Sequence, residues 1–361
     1  MFYLLFYPLH QTFSVFNVFR YLTFRTAYAA LTALLVSLIV GPYAIRLLGR
    51  LQVVEMIRDE GPKGHFSKAG TPTMGGLLIL ASTIVGTLLW ANLEVFYVWL
   101  VLGTTLAFGA IGFWDDYLKT IRKSNVGLKA TCKILLEIAV AAAVVWLLFS
   151  LADPESNATR LSVPLFKRVV PDLGVMYIPF AVVVIVGTSN AVNLTDGLDG
   201  LAIGPFIVAT FAYAGIAYVA GNVRFAEYLN ILYVPGAGEV AVFCGAMLGA
   251  SLGFLWFNSY PAQIFMGDVG SLSIGSALGT VAVIAKHELL LLLIGGLFVI
   301  ETLSVIVQVA SFKLTGKRVF RMAPLHHHFE AQGWQEPKVI VRFWIVAVIL
   351  AILSLSTLKL R

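Results

Sequence analysis

The sequence predicts an all-α polytopic membrane protein, and two observations support this class. Hydrophobic residues make up 59% of the 361 residues and charged residues only 12%, whereas soluble domains carry about 25% charged residues. Long apolar stretches also recur along the whole chain, each about as long as one membrane crossing of roughly 20 residues. We therefore expect about ten transmembrane helices and no soluble domain of ordinary size between them.

The amino-terminal segment, residues 1–25, is rich in Phe and Tyr and carries Arg20 and Arg25. It has no small-residue cleavage site after its first apolar stretch, so we expect an interfacial segment that is retained. The segment Asp153–Asp172 contains three prolines and predicts a loop or a short hairpin. The ten helices are expected near Tyr28–Leu48, Met74–Trp90, Val95–Trp114, Ile134–Leu151, Val175–Ala191, Leu201–Ala220, Val240–Phe257, Val269–Ala285, Leu289–Phe312 and Val339–Leu358.

Lysine and arginine are concentrated in one set of loops, within residues 46–68, 119–133 and 313–338. Cytoplasmic loops of membrane proteins carry an excess of these residues, so this set is predicted to be cytoplasmic and both termini extracytoplasmic. Residues 311–338 then form a long cytoplasmic loop. The net charge of +6 is explained by this asymmetry and by anionic ligands or lipid, without nucleic acid.

Three acidic clusters, within residues 113–117, 193–200 and 265–268, each lie at the end of a long apolar run. Ionised carboxylates beside hydrocarbon are costly, and they usually serve an ion, a proton or a phosphate. We predict one polar site on the cytoplasmic face that several helices share.

In the first cluster, Asp115 and Asp116 are adjacent, so on a helix they point about 100° apart. One is expected to face a ligand while the other orients a neighbour. Two carboxylates about 4 Å apart repel by roughly 4 kcal/mol at an effective dielectric constant of 20, which favours a nearby cation. The alternative is a solvated pair at a helix end, balanced by Lys119.

In the second cluster, Asn193, Asp196 and Asp199 recur every three residues, with Gly197 and Gly200 beside them. If this segment is helical, the three polar side chains share one face. The glycines allow close approach of backbone or of a ligand such as a nucleotide. The alternative is a capping and turn segment between two membrane helices.

In the third cluster, Asp268 directly precedes an apolar helix, so it is a candidate N-cap as well as a candidate metal ligand. Oxygen ligands without cysteine indicate a hard cation, and Mg²⁺ is the usual one beside phosphate. Phe265, taken alone, is expected in the core. Three successive histidines, His326, His327 and His328, do not have the spacing of a helical zinc site. They are better suited to donate to phosphate or sugar oxygens.

Taken together, these residues resemble the phospho-N-acetylmuramoyl-pentapeptide transferases, the MraY type, within the polyprenyl-phosphate N-acetylhexosamine-1-phosphate transferase family. The resemblance covers the whole chain, and its motifs are Gly70–Gly76, Asp115–Tyr117, Asn190–Gly200, Met266–Asp268 and Pro324–Glu330. It implies a single transmembrane transferase domain of residues 1–361 in the bacterial inner membrane and a homodimer. The implied reaction is Mg²⁺-dependent, joins UDP-N-acetylmuramoyl-pentapeptide to undecaprenyl phosphate, and yields lipid I and UMP for peptidoglycan synthesis.

The resemblance also implies residue roles. Asp268 would hold Mg²⁺, and Asp115 and Asp116 would receive the proton of the lipid phosphate or order its approach, with a covalent role left open. Asp199 and Phe265 would bind uracil. The other substrate-binding residues would be Lys68, Thr73, Lys119, Lys133, Asn193, Asp196, Gly197, Leu198, Asn258, Gln308, His327 and His328.

Two alternatives remain at this stage. A sister transferase would move N-acetylglucosamine-1-phosphate to the same lipid, but the histidine motif and the full-length match argue against it. An ion-coupled transporter would also use intramembrane acids, yet transporter sites lie near the bilayer midplane. The acids of this chain lie at helix ends on one face.

Overall fold

The structure is a computed structural model that describes residues 1–51, 70–122, 127–151, 158–166 and 169–359. Within these ranges the chain is helical and forms no strand. The helices are α1 (Phe2–Phe6), α2 (Leu22–Arg50), α3 (Gly76–Trp90), α4 (Phe96–Arg122), α5 (Ala130–Ser150), α6 (Tyr177–Thr195), α7 (Ile203–Ala220), α8 (Val223–Leu229), α9 (Val240–Asn258), α10 (Gly267–Ile284), α11 (Leu291–Ile294), α12 (Gly296–Thr315), α13 (Leu325–Ala331) and α14 (Glu336–Thr357).

Nine of the described helices are long and apolar enough to cross a membrane, and α3 is a shorter apolar helix. These ten helices correspond to the ten predicted spans, so the all-α polytopic class is confirmed. The boundaries differ by several residues, as at α2, which begins at Leu22 rather than Tyr28. The chain is a multi-pass membrane protein.

The span expected at Leu289–Phe312 is interrupted. Helix α11 ends before Gly295, and α12 begins at Gly296. Two successive glycines lower helix propensity at this point. A β carbon on Gly296 would lie 2.8 Å from Cδ1 of Leu350, so the glycine also lets the start of α12 lie close to α14.

The amino-terminal segment forms short helical turns that pack their aromatic rings against α3. The rings of Phe19 and Trp90 are stacked at 5.9 Å, and the terminal amino group donates to the Leu88 carbonyl at 2.7 Å. Arg25 lies in the first turn of α2 and is only 2% exposed. Its guanidinium donates to both carboxylate oxygens of Glu239, at 2.5 and 2.6 Å.

The loop that precedes α6 has the pairing of a short hairpin. Arg160 and Asp172 form an antiparallel bridge, and Leu161 N donates to the Pro171 carbonyl at 3.0 Å. The hairpin alternative for this loop is therefore supported by the residues that the structure describes.

Two buried ionisable residues just after α10, Lys286 and Glu288, connect that end of the helix to this loop and to the start of α6. Lys286 donates to the Ala158 carbonyl at 2.5 Å and lies 3.8 Å from the centre of the Tyr177 ring, and the Tyr177 hydroxyl donates to Glu288. Burial raises the pKa of Glu288 to about 7 and lowers the pKa of Lys286 to about 8. Both shifts follow from the cost of keeping a charge away from water.

Helix α10 is the central helix, and it is buried from Val269 to Ile284. Glycines let its N-terminal end approach two other helices at backbone distance. A β carbon on Gly76 would overlap the backbone of Gly270, and one on Gly112 would overlap the carbonyl of Asp268. The N-terminal end of α3 and the C-terminal half of α4 are thereby held against the start of α10, where the polar site lies.

Candidate active site

Three carboxylates meet at one end of the helix bundle. Asp115 and Asp116 project from α4 and Asp268 from α10, and one oxygen of each lies within 4.8 Å of the others. Asp115 is 3% exposed and Asp116 is 5% exposed. The structure therefore brings the first and third acidic clusters of the sequence together in one group, in which Asp115 and Asp116 are buried and Asp268 is partly buried.

Two lysines neutralise most of this charge. Lys119 Nζ lies 2.7 Å from Asp115 Oδ2 and 3.0 Å from Asp268 Oδ2, and it reaches Asp116 Oδ1 at 3.7 Å. Lys133, from α5, places Nζ 2.8 Å from Asp268 Oδ2 and 3.8 Å from Asp115 Oδ2. Among the described residues, two ammonium groups thus face three carboxylates, a formal excess of one negative charge.

Each aspartate of α4 has two roles. Asp115 Oδ1 accepts from Leu128 N at 2.6 Å, and Asp116 Oδ2 accepts from Val269 N at 3.1 Å. The other oxygen of each carboxylate faces Lys119. The expectation that one faces the ligand while the other orients a neighbour is therefore too simple, because both side chains orient backbone and face the cluster.

The expectation that Asp268 is an N-cap was wrong. Helix α10 has Met266 as its N-cap, and Asp268 is its second residue. The helix begins at Gly267, earlier than the apolar pattern indicated, and Gly267 has φ of +73°, a left-handed conformation that glycine adopts without strain where the chain enters the helix. The first-turn N–H of Val269 is instead satisfied by Asp116 of another helix.

The expectation that Asn193, Asp196 and Asp199 share a helical face was also wrong. Helix α6 ends at Thr195, and Asp196 leaves the helix with ψ of 59°. Asn193 donates from Nδ2 to Asp268 Oδ1 at 2.8 Å and to Ser271 Oγ at 2.8 Å. The residues that follow form a separate turn, residues 196–200.

The turn at residues 196–200 is fixed by contacts with distant parts of the chain. Asp199 is 3% exposed and its Oδ2 accepts from Ala262 N at 2.9 Å, while its own N–H donates to Glu336 at 3.1 Å. Asn258 Oδ1 accepts from Gly200 N at 3.0 Å. Asn258 Nδ2 donates to the Ile264 carbonyl at 2.8 Å, so this asparagine connects the turn to the loop that leads to α10.

Phe265 belongs to that loop and pairs with the segment before α3. Its N–H donates to the Pro72 carbonyl, and its carbonyl accepts from Gly75 N, both at 2.8 Å. Ile264 and Met266 on either side are buried, whereas Phe265 is only partly buried. Phe265 is therefore not one of the fully buried residues of the core. Thr73, which is 9% exposed, lies on the same paired segment.

His327, His328 and Gln308 make hydrogen bonds within the histidine loop, residues 311–338, or between this loop and α12. His327 Nδ1 lies 2.7 Å from Glu330 Oε2, and His328 Nδ1 accepts from Arg321 N at 3.1 Å. Gln308 accepts from Val319 N and Phe320 N at 3.0 and 2.9 Å. These contacts hold the loop between α12 and α13 in place. Lys68 lies outside the described residues.

Two buried carboxylates near the site were missed from the sequence. Glu137 Oε2 accepts from Asn190 Nδ2 at 2.5 Å, one helical turn beyond Lys133 on α5. Glu301 on α12 contacts His326. Each is a single acid within an apolar run, and the rule that intramembrane acids indicate functional sites would have identified both.

The donor set fits a hard divalent cation. Three carboxylates offer oxygen ligands within reach of one another, and the two lysines that the structure places beside them leave a formal excess of one negative charge. Carboxylate oxygens are the ligands that Mg²⁺ prefers, usually together with phosphate oxygens. The cluster also lies at the ends of α4 and α10, which differs from the mid-membrane placement typical of transporter sites.

Comparisons with known proteins agree with this geometry. The family model for glycosyl transferase family 4 matches residues 98–286, and signature 1 of the phospho-N-acetylmuramoyl-pentapeptide-transferases matches residues 68–80. The transferase of that name from Desulfosudis oleivorans is 60% identical over 100% of both chains. This chain belongs to the phospho-N-acetylmuramoyl-pentapeptide-transferase family. Relatives with the same name from Syntrophus aciditrophicus and Thermodesulfovibrio yellowstonii are each 57% identical over 100% of both chains.

The family assignment confirms the resemblance seen in the motifs. It also argues against the two alternatives, a sister N-acetylglucosamine-1-phosphate transferase and an ion-coupled transporter, because relatives named as pentapeptide transferases match the chain along its full length. The phospho-N-acetylmuramoyl-pentapeptide-transferase signature covers Thr73 and Gly76, the glycine of α3 that lies against the backbone of Gly270.

The charge balance of the cluster can be tested without an activity assay. Lys133→Met leaves one ammonium group against three carboxylates, so the protein is expected to melt at a lower temperature in EDTA than the parent. A divalent cation should then raise the melting temperature more than it does in the parent, because ligands that bind only the folded state stabilise it. Differential scanning fluorimetry with and without Mg²⁺ measures both shifts.

Lys129→Met is the matched control, since Lys129 is exposed just before α5. Equal Mg²⁺-dependent shifts in Lys133→Met and the parent would contradict the expectation that Lys133 and the cation neutralise the same charge, and no shift in either protein would show that the cluster does not bind the cation.

Proposed function

We propose that the protein transfers phospho-N-acetylmuramoyl-pentapeptide from UDP-N-acetylmuramoyl-pentapeptide to undecaprenyl phosphate, in peptidoglycan synthesis. A phosphate oxygen of the lipid bonds to the sugar-bearing phosphorus, and the bond from that phosphorus to the bridging oxygen of UMP breaks. The products are lipid I and UMP. The observation that carries this proposal is the cluster of three carboxylates and two lysines in a multi-pass membrane protein of this family.

The reaction exchanges one diphosphate for another, so it depends mainly on positioning and charge neutralisation. In this proposal Lys119 and Lys133 bind phosphate oxygens as point charges. Both are held by Asp268, and this contact fixes their ammonium groups where two phosphates can meet. Asn193 keeps Asp268 in place through its amide.

Asp115 and Asp116 are proposed to order the lipid phosphate and to take its proton. Their backbone contacts, with Leu128 and Val269, support this role because they hold each carboxylate in a fixed orientation. The oxygens that face Lys119 are the ones available to the reaction. A proton received on one of these oxygens would lie beside the ammonium group of Lys119, which neutralises the charge of the carboxylates that stay ionised.

Mg²⁺ is proposed as the cofactor, held by Asp268 with Asp115 and Asp116 beside it. When bound, it would neutralise charge that develops on the phosphate oxygens.

The nucleotide is proposed to bind beside the turn at residues 196–200. Phe265 would stack on uracil through its partly exposed ring, and Asp199 would accept from the uracil N–H. Asp196, Gly197, Leu198 and Thr73 would line the site, with His327 and His328 toward the phosphates or sugar. Asn258 and Gln308 are proposed to act through the backbone that they hold.

We also propose that the site faces the cytoplasm of the bacterial inner membrane and that both termini lie outside. The excess of basic residues in the sequence segments that follow α2, α4 and α12 supports that orientation. Residues 1–361 are proposed to form one transmembrane transferase domain that assembles as a homodimer, which light scattering of the purified protein in detergent would test.

The reaction is tested by the release of UMP from UDP-N-acetylmuramoyl-pentapeptide and undecaprenyl phosphate in the presence of Mg²⁺. Asp268→Asn is expected to lower the rate about a hundredfold or more, or roughly 3 kcal/mol of transition-state stabilisation. The amide cannot neutralise a cation or hold both lysines. Glu227→Gln, which alters an exposed acid on α8, should keep full activity. Near-full activity of Asp268→Asn at limiting Mg²⁺ would contradict the assignment.

Nucleotide recognition is tested by Phe265→Leu. Stacking of a base on an aromatic ring contributes roughly 1 to 3 kcal/mol, so the KM for the nucleotide substrate should rise about five- to a hundredfold. The KM for undecaprenyl phosphate should not change. Phe257→Leu is the control because Phe257 is 7% exposed, and it should lower the melting temperature without affecting the nucleotide KM. The same outcome for Phe265→Leu would assign Phe265 to the core.

Membrane sidedness is tested with single cysteines in a background of Cys132→Ser and Cys244→Ala. Lys317→Cys, in the histidine loop, should react with an impermeant thiol reagent only from the cytoplasmic side. Glu227→Cys should react only from the outside. Both positions are exposed, so labelling reports the side and not burial. The reverse pattern would invert the proposed topology.

A further inference from the structure

A buried acid of the membrane helix α12 contacts the first residue of the histidine motif. Glu301 is 0% exposed and His326 is 1% exposed. One carboxylate oxygen, Oε1, accepts from His326 N at 3.2 Å, and the other, Oε2, lies 3.2 Å from His326 Nδ1. Both oxygens of Glu301 are therefore directed to one residue of α13. An ionisable side chain inside a membrane helix is costly, so this pairing needs a functional explanation.

The contact determines which ring nitrogen carries a proton. An ionised carboxylate only accepts hydrogen bonds, so Nδ1 must donate. The other nitrogen, Nε2, is then free to accept when the ring is neutral. Nε2 is buried and has no hydrogen-bond partner among the described residues. Buried polar atoms without a partner are few in folded proteins, and each one calls for an explanation.

Nε2 faces the turn at residues 196–200. A β carbon on Gly197 would overlap Nε2 and would lie 3.0 Å from Cε1 of the same ring. The imidazole therefore lies directly against the backbone of Gly197, which explains the glycine at this position. Each peptide unit of the turn carries one N–H donor. In the structure the Gly197 N–H donates to the Thr195 carbonyl at 2.8 Å.

We propose that Glu301 and His326 form a positioning pair for this turn, in which Glu301 holds His326 with Nδ1 protonated and Nε2 accepts a backbone N–H of residues 196–198 when the nucleotide sugar binds. Neither side chain touches the substrate, since both are buried behind the turn. The inference rests on the proposed function, because it takes residues 196–200 as the nucleotide-binding turn.

Two substitutions at His326 test the roles of its ring nitrogens Nδ1 and Nε2 separately. His326→Asn keeps an amide N–H near the position of Nδ1, toward Glu301, but has no atom at the position of Nε2. Loss of one buried hydrogen bond should raise the Kd for UDP-N-acetylmuramoyl-pentapeptide about five- to a hundredfold. His326→Gln places an amide oxygen near the position of Nε2, so it should bind the nucleotide sugar more tightly than His326→Asn.

Glu301→Gln tests the carboxylate with little change in volume. Its amide has one oxygen, and an NH₂ group directed at Nδ1 would force the proton onto Nε2, which could then no longer accept. The Kd should rise as in His326→Asn. The Kd of the double variant should be no higher than that of the single variant with the higher Kd, because both changes remove the same interaction. The KM for undecaprenyl phosphate should stay unchanged in all variants.

Isothermal titration of purified protein in detergent measures the Kd, and scanning fluorimetry measures stability. Glu239→Gln is the control, since it removes the charge of a carboxylate paired with Arg25 at the opposite end of the bundle. It should lower the melting temperature and leave the Kd unchanged. The same result for Glu301→Gln and His326→Asn would overturn the proposal, because the pair would then only hold α13. Equal Kd values for His326→Gln and His326→Asn would overturn the acceptor role of Nε2.

Measurements on the parent protein distinguish failure of the proposed reaction from failure of the positioning pair. If it binds the nucleotide sugar but releases no UMP when given undecaprenyl phosphate, the proposed reaction fails and the test of the positioning pair still holds. If the parent does not bind the nucleotide sugar, the positioning proposal fails as well.

Discussion

Neutralisation of three clustered carboxylates is the constraint on which the rest of this site depends. Two carboxylates about 4 Å apart repel by roughly 4 kcal/mol at an effective dielectric constant of 20, and water cannot screen that repulsion well at a buried site. Lys119 reaches the cluster from the same helix as Asp115, whereas Lys133 must come from α5. The positions of α4, α5 and α10 are therefore linked by charge as well as by packing. Glycines such as Gly112 make the required helix spacing possible.

The sequence was sufficient to predict the membrane class and the order of the spans, because each apolar run is long and the loops between them are polar. It also identified the acidic clusters that meet in space. It could not give helix ends, since these depend on contacts with other helices. Asp116 supplies the N–H acceptor at the start of α10, and the end of α6 at Thr195 separates Asn193 from Asp199. Neither the hydrogen bond at the start of α10 nor the end of α6 can be read from the spacing of residues in the local sequence.

Buried partners were the hardest feature to predict. Glu137 and Glu301 are conspicuous as single acids in apolar runs, yet their partners, Asn190 and His326, are distant in sequence. A pattern shows that such an acid must be satisfied, but only tertiary structure shows by which group. The histidine motif illustrates the point, because three adjacent residues have three different environments. His326 is buried against Glu301, His327 pairs with Glu330 within its own helix, and His328 accepts from the backbone N–H of Arg321.

The nucleotide turn and the carboxylate cluster are joined by one short segment, residues 258–268. Asn258 holds Gly200 at one end of it and the Ile264 carbonyl within it. Phe265 then pairs with Pro72, and the segment ends at Asp268 in the cluster. Positioning is most effective when the groups that bind and the groups that react belong to one rigid frame. A displacement of the turn would therefore move the backbone that places Asp268, so recognition of the nucleotide and alignment of the phosphates depend on the same few hydrogen bonds.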